Sequence, residues 1–258
     1  MSGCFSALFG TPLAAFVFVL EVARVGKRCF KAIIPAFVSS IAAFLIANNL
    51  GVEPEHFPVN EIPTLTTEIL WRFVLIAVVG ALVSWIFVYA LHFSEKYFEK
   101  IFKNEYVRVV VGGVIVIALT KIFGTTDYNG GGVNIIHHIF THGEVSYEAF
   151  ILKIIFTAIS VGSGYKGGEI VPTLFVGSTL GGTIACVSGL NPAFGAAVGI
   201  TALFAGVTNA PFATVVLACE MFGIEGIGYY FVASAISFAL SGKVSLYKGR
   251  KLPFVHDK

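Results

Sequence analysis

The sequence predicts an all-α integral membrane protein, a multi-helix transporter fold with broken, tilted helices. Three observations lead there. Hydrophobic residues make up 56% of the 258 and charged residues 12%, with a mean hydropathy of +0.85. A soluble domain carries about 25% charged residues, so this chain has too little polar surface to face water and lipid is the expected solvent. Long apolar runs alternate with short polar punctuation. The runs also differ in length and are interrupted by Gly and Pro, as in transporters whose binding sites form at broken helices.

In chain order, apolar periodicity and punctuation predict helices over 11–24, 32–49, 67–100, 106–123, 132–140, 147–160, 170–187, 193–206, 211–222 and 227–241. The run 67–100 is long enough to cross a bilayer at a steep tilt. The run 211–222 is too short to cross at about 1.5 Å per residue. Basic loops (Arg24, Lys27, Arg28 and Lys31; then Lys96, Lys100, Lys103 and Arg108; then Lys243, Lys248, Arg250 and Lys251) alternate with acidic ones (Glu53, Glu55, Glu61 and Glu68; then Asp127 and Glu144). The positive-inside rule places the basic loops and the C-terminus in the cytoplasm, which suits a multi-pass protein of the cell (inner) membrane.

Several function classes are disfavoured. The net charge is +2, and no basic stripe interleaves with aromatics, so no nucleic-acid partner is expected. No nucleophile–base pair or metal-ligand cluster stands out, so neither an enzyme nor a cofactor is expected. His137, His138 and His142 are read as polar loop residues beside Asn134 and Glu144, with no metal assigned. The four cysteines (Cys4, Cys29, Cys186, Cys219) lack metal or disulfide spacing and read as buried, inert thiols. The start Met1-Ser2-Gly3-Cys4 shows no charged leader, so no cleavable signal peptide is expected.

A repeat is visible. Pro12, Ala14 and Glu21 recur as Pro211, Ala213 and Glu220, each pair 199 positions apart. Both copies set Pro in the first helical turn, then an apolar body, then an acid. Repeated halves with a site between them are a common transporter plan. Capping or interhelical pairing is the reading preferred for Glu21 and Glu220.

The most informative stretch is Gly162-Ser163-Gly164-Tyr165-Lys166-Gly167-Gly168-Glu169-Ile170-Val171-Pro172, which opens an apolar helix. A helix start presents unpaired N–H groups and the positive end of the macrodipole, which together bind anions. Neutral donors hold an ion without the grip of a full charge, which conduction requires. Glycines that merely permit close helix packing are the competing reading.

With other segments, this run resembles the CLC family of chloride channels and anion–proton exchangers. Gly10-Thr11-Pro12-Leu13-Ala14 with Leu20-Glu21 is similar to one family helix start. Asp127 through Asn134 resembles the Gly-Gly-Gly-hydrophobic-Asn loop, Asn209-Ala210-Pro211 through Glu220-Met221 the later repeat copy, and Ser241 through Tyr247 the terminal helix. The resemblance implies inverted repeats in one transmembrane domain over 1–258, with the second repeat at about 67–241, the last helices of the first repeat before it, and no C-terminal soluble domain. It implies a homodimer in the lipid bilayer that carries a halide, fluoride or chloride, with protons as a possible coupled ion.

The wording Gly167-Gly168-Glu169 resembles the fluoride-exporting branch, whose motif glutamate is implicated in proton coupling. Glu169 is therefore the proton-coupling candidate. Gly168, Glu169 and the amides of Ile170 and Val171 are anion-binding candidates, with the Tyr247 hydroxyl matching the family's central tyrosine. Val171 stands where that branch favours Thr, and Val22 where exchangers carry an internal proton-transfer glutamate. Fluoride/proton antiport is thus the leading expectation, and passive conduction by a chloride channel the alternative. About the first third of a family subunit, including its other anion-binding loop and gating glutamate, has no counterpart here. A truncated, non-transporting membrane fragment is the alternative from another class.

Overall fold

The computed structural model describes residues 1–22, 30–59, 61–242 and 245–246. Among them, eleven α-helices follow one another without a strand: α1 Ser2–Phe9, α2 Pro12–Val22, α3 Phe30–Asn49, α4 Thr67–Ile101, α5 Glu105–Phe123, α6 Val133–His142, α7 Ala149–Gly162, α8 Ile170–Ser188, α9 Pro192–Thr208, α10 Pro211–Phe222 and α11 Ile227–Ser241. Among the described residues five segments, four within α3, α4, α5 and α8 and a fifth at Ile224–Ser241 that includes α11, are long and apolar enough to cross a membrane. The protein is an integral, multi-pass membrane protein.

Helix ends follow local chemistry. Thr66 accepts from the Ile69 amide at 3.4 Å to cap α4, and Asn104 caps α5 through Tyr106 at 2.9 Å. Glu68 in the first turn and Lys100 in the last turn of α4 complement its macrodipole. At 35 residues, α4 is about 52 Å long against a hydrocarbon layer of about 30 Å, so it is long enough to cross at a steep tilt or to project beyond the layer. The α9–α10 reversal turns on Asn209, a non-glycine residue at φ 54°, followed by Ala210 and by Pro211 at the start of α10.

The core is organised around α9, which is buried continuously from Phe194 to Thr208 and packs against α8, α4 and α11. Small residues set its contact with α8. A side chain at Gly177 would sit 2.6 Å from the Ile200 backbone, and one at Gly199 would sit 2.7 Å from that of Gly181. Without a hydrophobic drive between helices in lipid, such close backbone approach is what makes them associate. By contrast, 11% of the apolar window of α3 and 6% of that of α5 is buried, so most of the surface of each is left uncovered by the other described residues.

The repeated segments become α2 and α10, which pack on each other. The Glu220 carboxylate accepts from the Leu13 and Ala14 amides at 3.1 and 2.7 Å. The Glu21 carboxylate accepts from Phe212 and Ala213 at 3.3 and 2.7 Å. Of capping and interhelical pairing, the two structural roles preferred from sequence, the acids perform both, since each caps the other helix.

Two expectations need correction. Helix α1 was not anticipated. Its apolar pattern is interrupted by Ser2, Gly3 and Ser6, and those residues are what seat it on α3: Ser2 and Ser6 donate to the Ala36 and Ser40 carbonyls at 2.8 Å each. The described cysteines are not buried, since Cys4 is exposed and Cys186 and Cys219 are partly exposed. Apolar helices in lipid carry thiols at their surface as readily as inside. Cys29 lies outside the described residues.

Candidate anion site

Helix α8 starts at Ile170, with Glu169 at its N-cap. The Glu169 carbonyl accepts from the Thr173 amide at 3.2 Å and the Thr173 hydroxyl at 2.7 Å. Pro172 has no N–H, so the first turn offers two donors, the Ile170 and Val171 amides, that no acceptor within the described residues takes up. Neither Gly167 nor Gly168 meets an atom within 4 Å at the position of a Cβ, so their backbone is open to approach. Gly164 makes the turn into this segment at φ +101°, a conformation that favours glycine. Earlier in the run, Gly162 is fixed by packing, with the space of a side chain filled by Ser94. The run therefore serves packing at one end and exposed backbone at the other.

An open cavity of about 560 Å³ is lined by Gly167, Gly168, Val171 and Pro172, by Thr157, Ser160 and Val161 of α7, and by Tyr128 to Gly131. A second, smaller cavity contains Glu55, Phe57, Val133, Ile136 and Leu174. Leu8 and Val171 line both, so an apolar pair stands at their junction. Of the residues assigned to the anion from sequence, Gly168 and Val171 line this first cavity, and Glu169 and Ile170 stand between them in the chain without lining it. Tyr247 lies outside the described residues. The described residues just before it dock on the end of α9, where the Leu246 amide donates to the Val207 carbonyl at 3.1 Å.

Two charged residues, one lining a cavity and one bonded to residues that line the other, were not singled out. Lys153 is 1% exposed, and its ammonium donates to the carbonyls of Tyr128 at 3.1 Å and Gly130 at 2.6 Å. Its signal was in the sequence: it is the one charged residue of α7, and an ionisable group inside a membrane helix is costly enough to suggest a role. Glu55 in the α3–α4 loop lies 3.6 Å from His137. Burial pushes the Glu55 carboxyl above the usual range, and the His137 charge opposes that shift.

The histidines are not in a loop. His137, His138 and His142 all lie on α6, which runs on to Gly143 before the left-handed cap stops it. His138 stacks on His142 at 4.4 Å, and His137 packs on Phe57 at 4.5 Å. No group of three metal-binding side chains gathers among the described residues.

Known proteins are similar to this chain in sequence and fold. A chloride/fluoride channel protein of Pseudomonas syringae pv. tomato is 29% identical over 98% of this chain and 57% of its own length. The H(+)/Cl(-) exchange transporter ClcA of Vibrio campbellii is 25% identical, over 94% of this chain and 54% of that protein. The crystal structure of a CLC-type fluoride/proton antiporter matches with a TM-score of 0.90 and 27% identity, covering 96% of this chain and 63% of that one. The structure of a slow cyanobacterial Cl-/H+ antiporter, at a TM-score of 0.69 and 20% identity, shares the fold. The chain spans little more than half the length of the curated relatives it matches. Residues 1–242 match the family described as Voltage gated chloride channel, and the chain belongs to that family.

Proposed function

We propose that this chain carries halide anions across the membrane, and that fluoride/proton antiport is its leading activity. The observation that carries this reading is the pair of untaken amides, Ile170 and Val171, at the start of an apolar helix whose preceding glycines line an open cavity. An anion shed of its water gains from both N–H groups and from the helix dipole, without a full charge that would trap it. Gly168 lets the ion approach the backbone, and the Tyr247 hydroxyl is the further donor expected from sequence. Glu169, adjacent to the same amides, exchanges the coupled proton. The similarity to a chloride/fluoride channel protein and to a fluoride/proton antiporter supports this choice of ions.

Val171 favours a second reading. Its side chain offers no hydroxyl to a small, strongly hydrated anion, which suits chloride and passive conduction. In either case the protein is a homodimer in the cell (inner) membrane with a cytoplasmic C-terminus, as the alternation of basic and acidic loops supports. The expected subunit is a single transmembrane domain whose second repeat occupies about 67–241.

Reconstitution into liposomes tests the choice. A fluoride electrode and a chloride electrode follow efflux with and without a proton gradient. Uphill proton movement driven by fluoride supports antiport, chloride flux that ignores the gradient supports the channel, and no flux of either ion identifies a non-transporting fragment.

A further inference from the structure

Lys153 is the most thoroughly buried charge among the described residues, and nothing in the ion path proposed above uses it. Its ammonium is held by two neutral carbonyls and lies 4.8 Å over the Phe175 ring. No carboxylate among the described residues comes within ion-pair distance of it. Carbonyl dipoles and a ring face solvate a cation but leave its charge in place, and an uncompensated charge in the interior is costly. Such a group is stabilised when a counter-ion comes near.

The cavity is where one can come. Tyr128 and Gly130, whose carbonyls hold the ammonium, line it, while Lys153 does not. The residues that hold the charge are thus among those that line the space. The same loop abuts α8: a side chain at Gly131 would meet Val171 at 3.2 Å, and one at Gly132 would meet Phe175 at 2.6 Å. A trans peptide puts the Gly131 N–H on the side opposite the Gly130 carbonyl that Lys153 holds, and no acceptor within the described residues takes that N–H.

We infer that Lys153 is a positioning residue for the anion: its ammonium supplies the fixed positive charge that draws a halide into the cavity and holds the Tyr128–Gly131 loop against Val171. The inference rests on the anion-transport reading. Because the charge acts through the loop, it raises occupancy without forming a direct ion pair, so the ion remains free to leave.

Three substitutions separate charge from packing. Lys153→Met removes the charge and the donors. Lys153→Gln removes the charge and keeps N–H donors for the two carbonyls. Lys153→Arg keeps both. Initial fluoride and chloride fluxes from liposomes holding the full chain are measured against anion concentration. The half-saturating concentration is expected to rise about tenfold in Met and Gln, the effect of weakening one charge interaction across a few ångströms, with the maximal rate changing much less. Arg is expected to restore it. An unchanged half-saturation in Gln overturns the inference, as does an Arg variant as impaired as Met. If only Arg folds, Lys153 is structural and the inference fails. Wild-type protein that moves neither ion defeats the transport reading itself, whereas saturable wild-type flux unaltered by Gln defeats only the role of Lys153.

Discussion

Glu21 and Glu220 each cap the helix that carries the other. The acid near the end of α2 accepts from the first-turn amides of α10, the acid near the end of α10 accepts from those of α2, and the shorter bond is 2.7 Å in both. An identical local motif thus makes two reciprocal contacts, as related halves packed about a pseudo-two-fold axis would. The placement also satisfies amides that would otherwise face an apolar surround.

Removing either cap should loosen the α2–α10 pair. Glu21→Ala and Glu220→Ala are each expected to cost about 1 kcal/mol, the usual effect of losing an N-cap. The double variant should depart from the sum, because both acids act at one contact. Thermal melts in detergent measure all three. Additive, negligible losses would mean that the carboxylates contribute nothing beyond filling space.

Glu169→Gln should separate the proton from the anion. Gln keeps the shape at the N-cap of α8 and cannot titrate, while the Ile170 and Val171 amides stay in place. The expected outcome is anion flux that persists and proton uptake that stops, read by an electrode and a pH dye on the same liposomes. Proton movement that continues in the variant would exclude Glu169 as the carrier.

Much of this was legible in the sequence. The apolar runs gave every helix from α2 to α11 with ends within two residues, because burial in lipid demands continuous apolar helices and the punctuating Gly, Pro and Asn stop them. Helix α1 escaped because its small polar residues have value only against α3. The α8 start was readable as a donor-rich helix terminus. The rest of the cavity lining was not, since Tyr128 to Gly131 and Thr157 are distant in sequence from Gly168 and meet it only in the fold. The reciprocity of Glu21 and Glu220 was half visible: their spacing revealed the repeat, and only tertiary structure could show that each acid serves the other copy.

Val171→Thr should sharpen the preference for fluoride. The two side chains match in shape, so packing against Gly131 is retained, and the new hydroxyl lies beside the untaken amides. One added hydrogen bond of about 1 kcal/mol corresponds to about a fivefold gain in fluoride over chloride. Competing fluxes of the two ions provide the measurement. An unchanged ratio would show that the residue 171 side chain does not reach the ion.

Glu55 offers a prediction with a defined sign. Its side chain is 27% exposed and lies in the α3–α4 loop, and burial raises its carboxyl above the ordinary value of 4.5 despite the opposing charge of His137. A carboxyl raised in the folded state binds its proton more tightly there than in the unfolded chain. The stability it contributes is therefore present below 4.5 and is lost as pH rises through the folded value. Glu55→Gln removes that loss, since the amide stays neutral throughout. The variant and the wild type should melt together at acidic pH, and the variant should melt higher as neutrality is approached. A difference of the opposite sign, with the wild type gaining on the variant as pH rises, would mean that the ion pair with His137 outweighs the cost of burying the carboxylate.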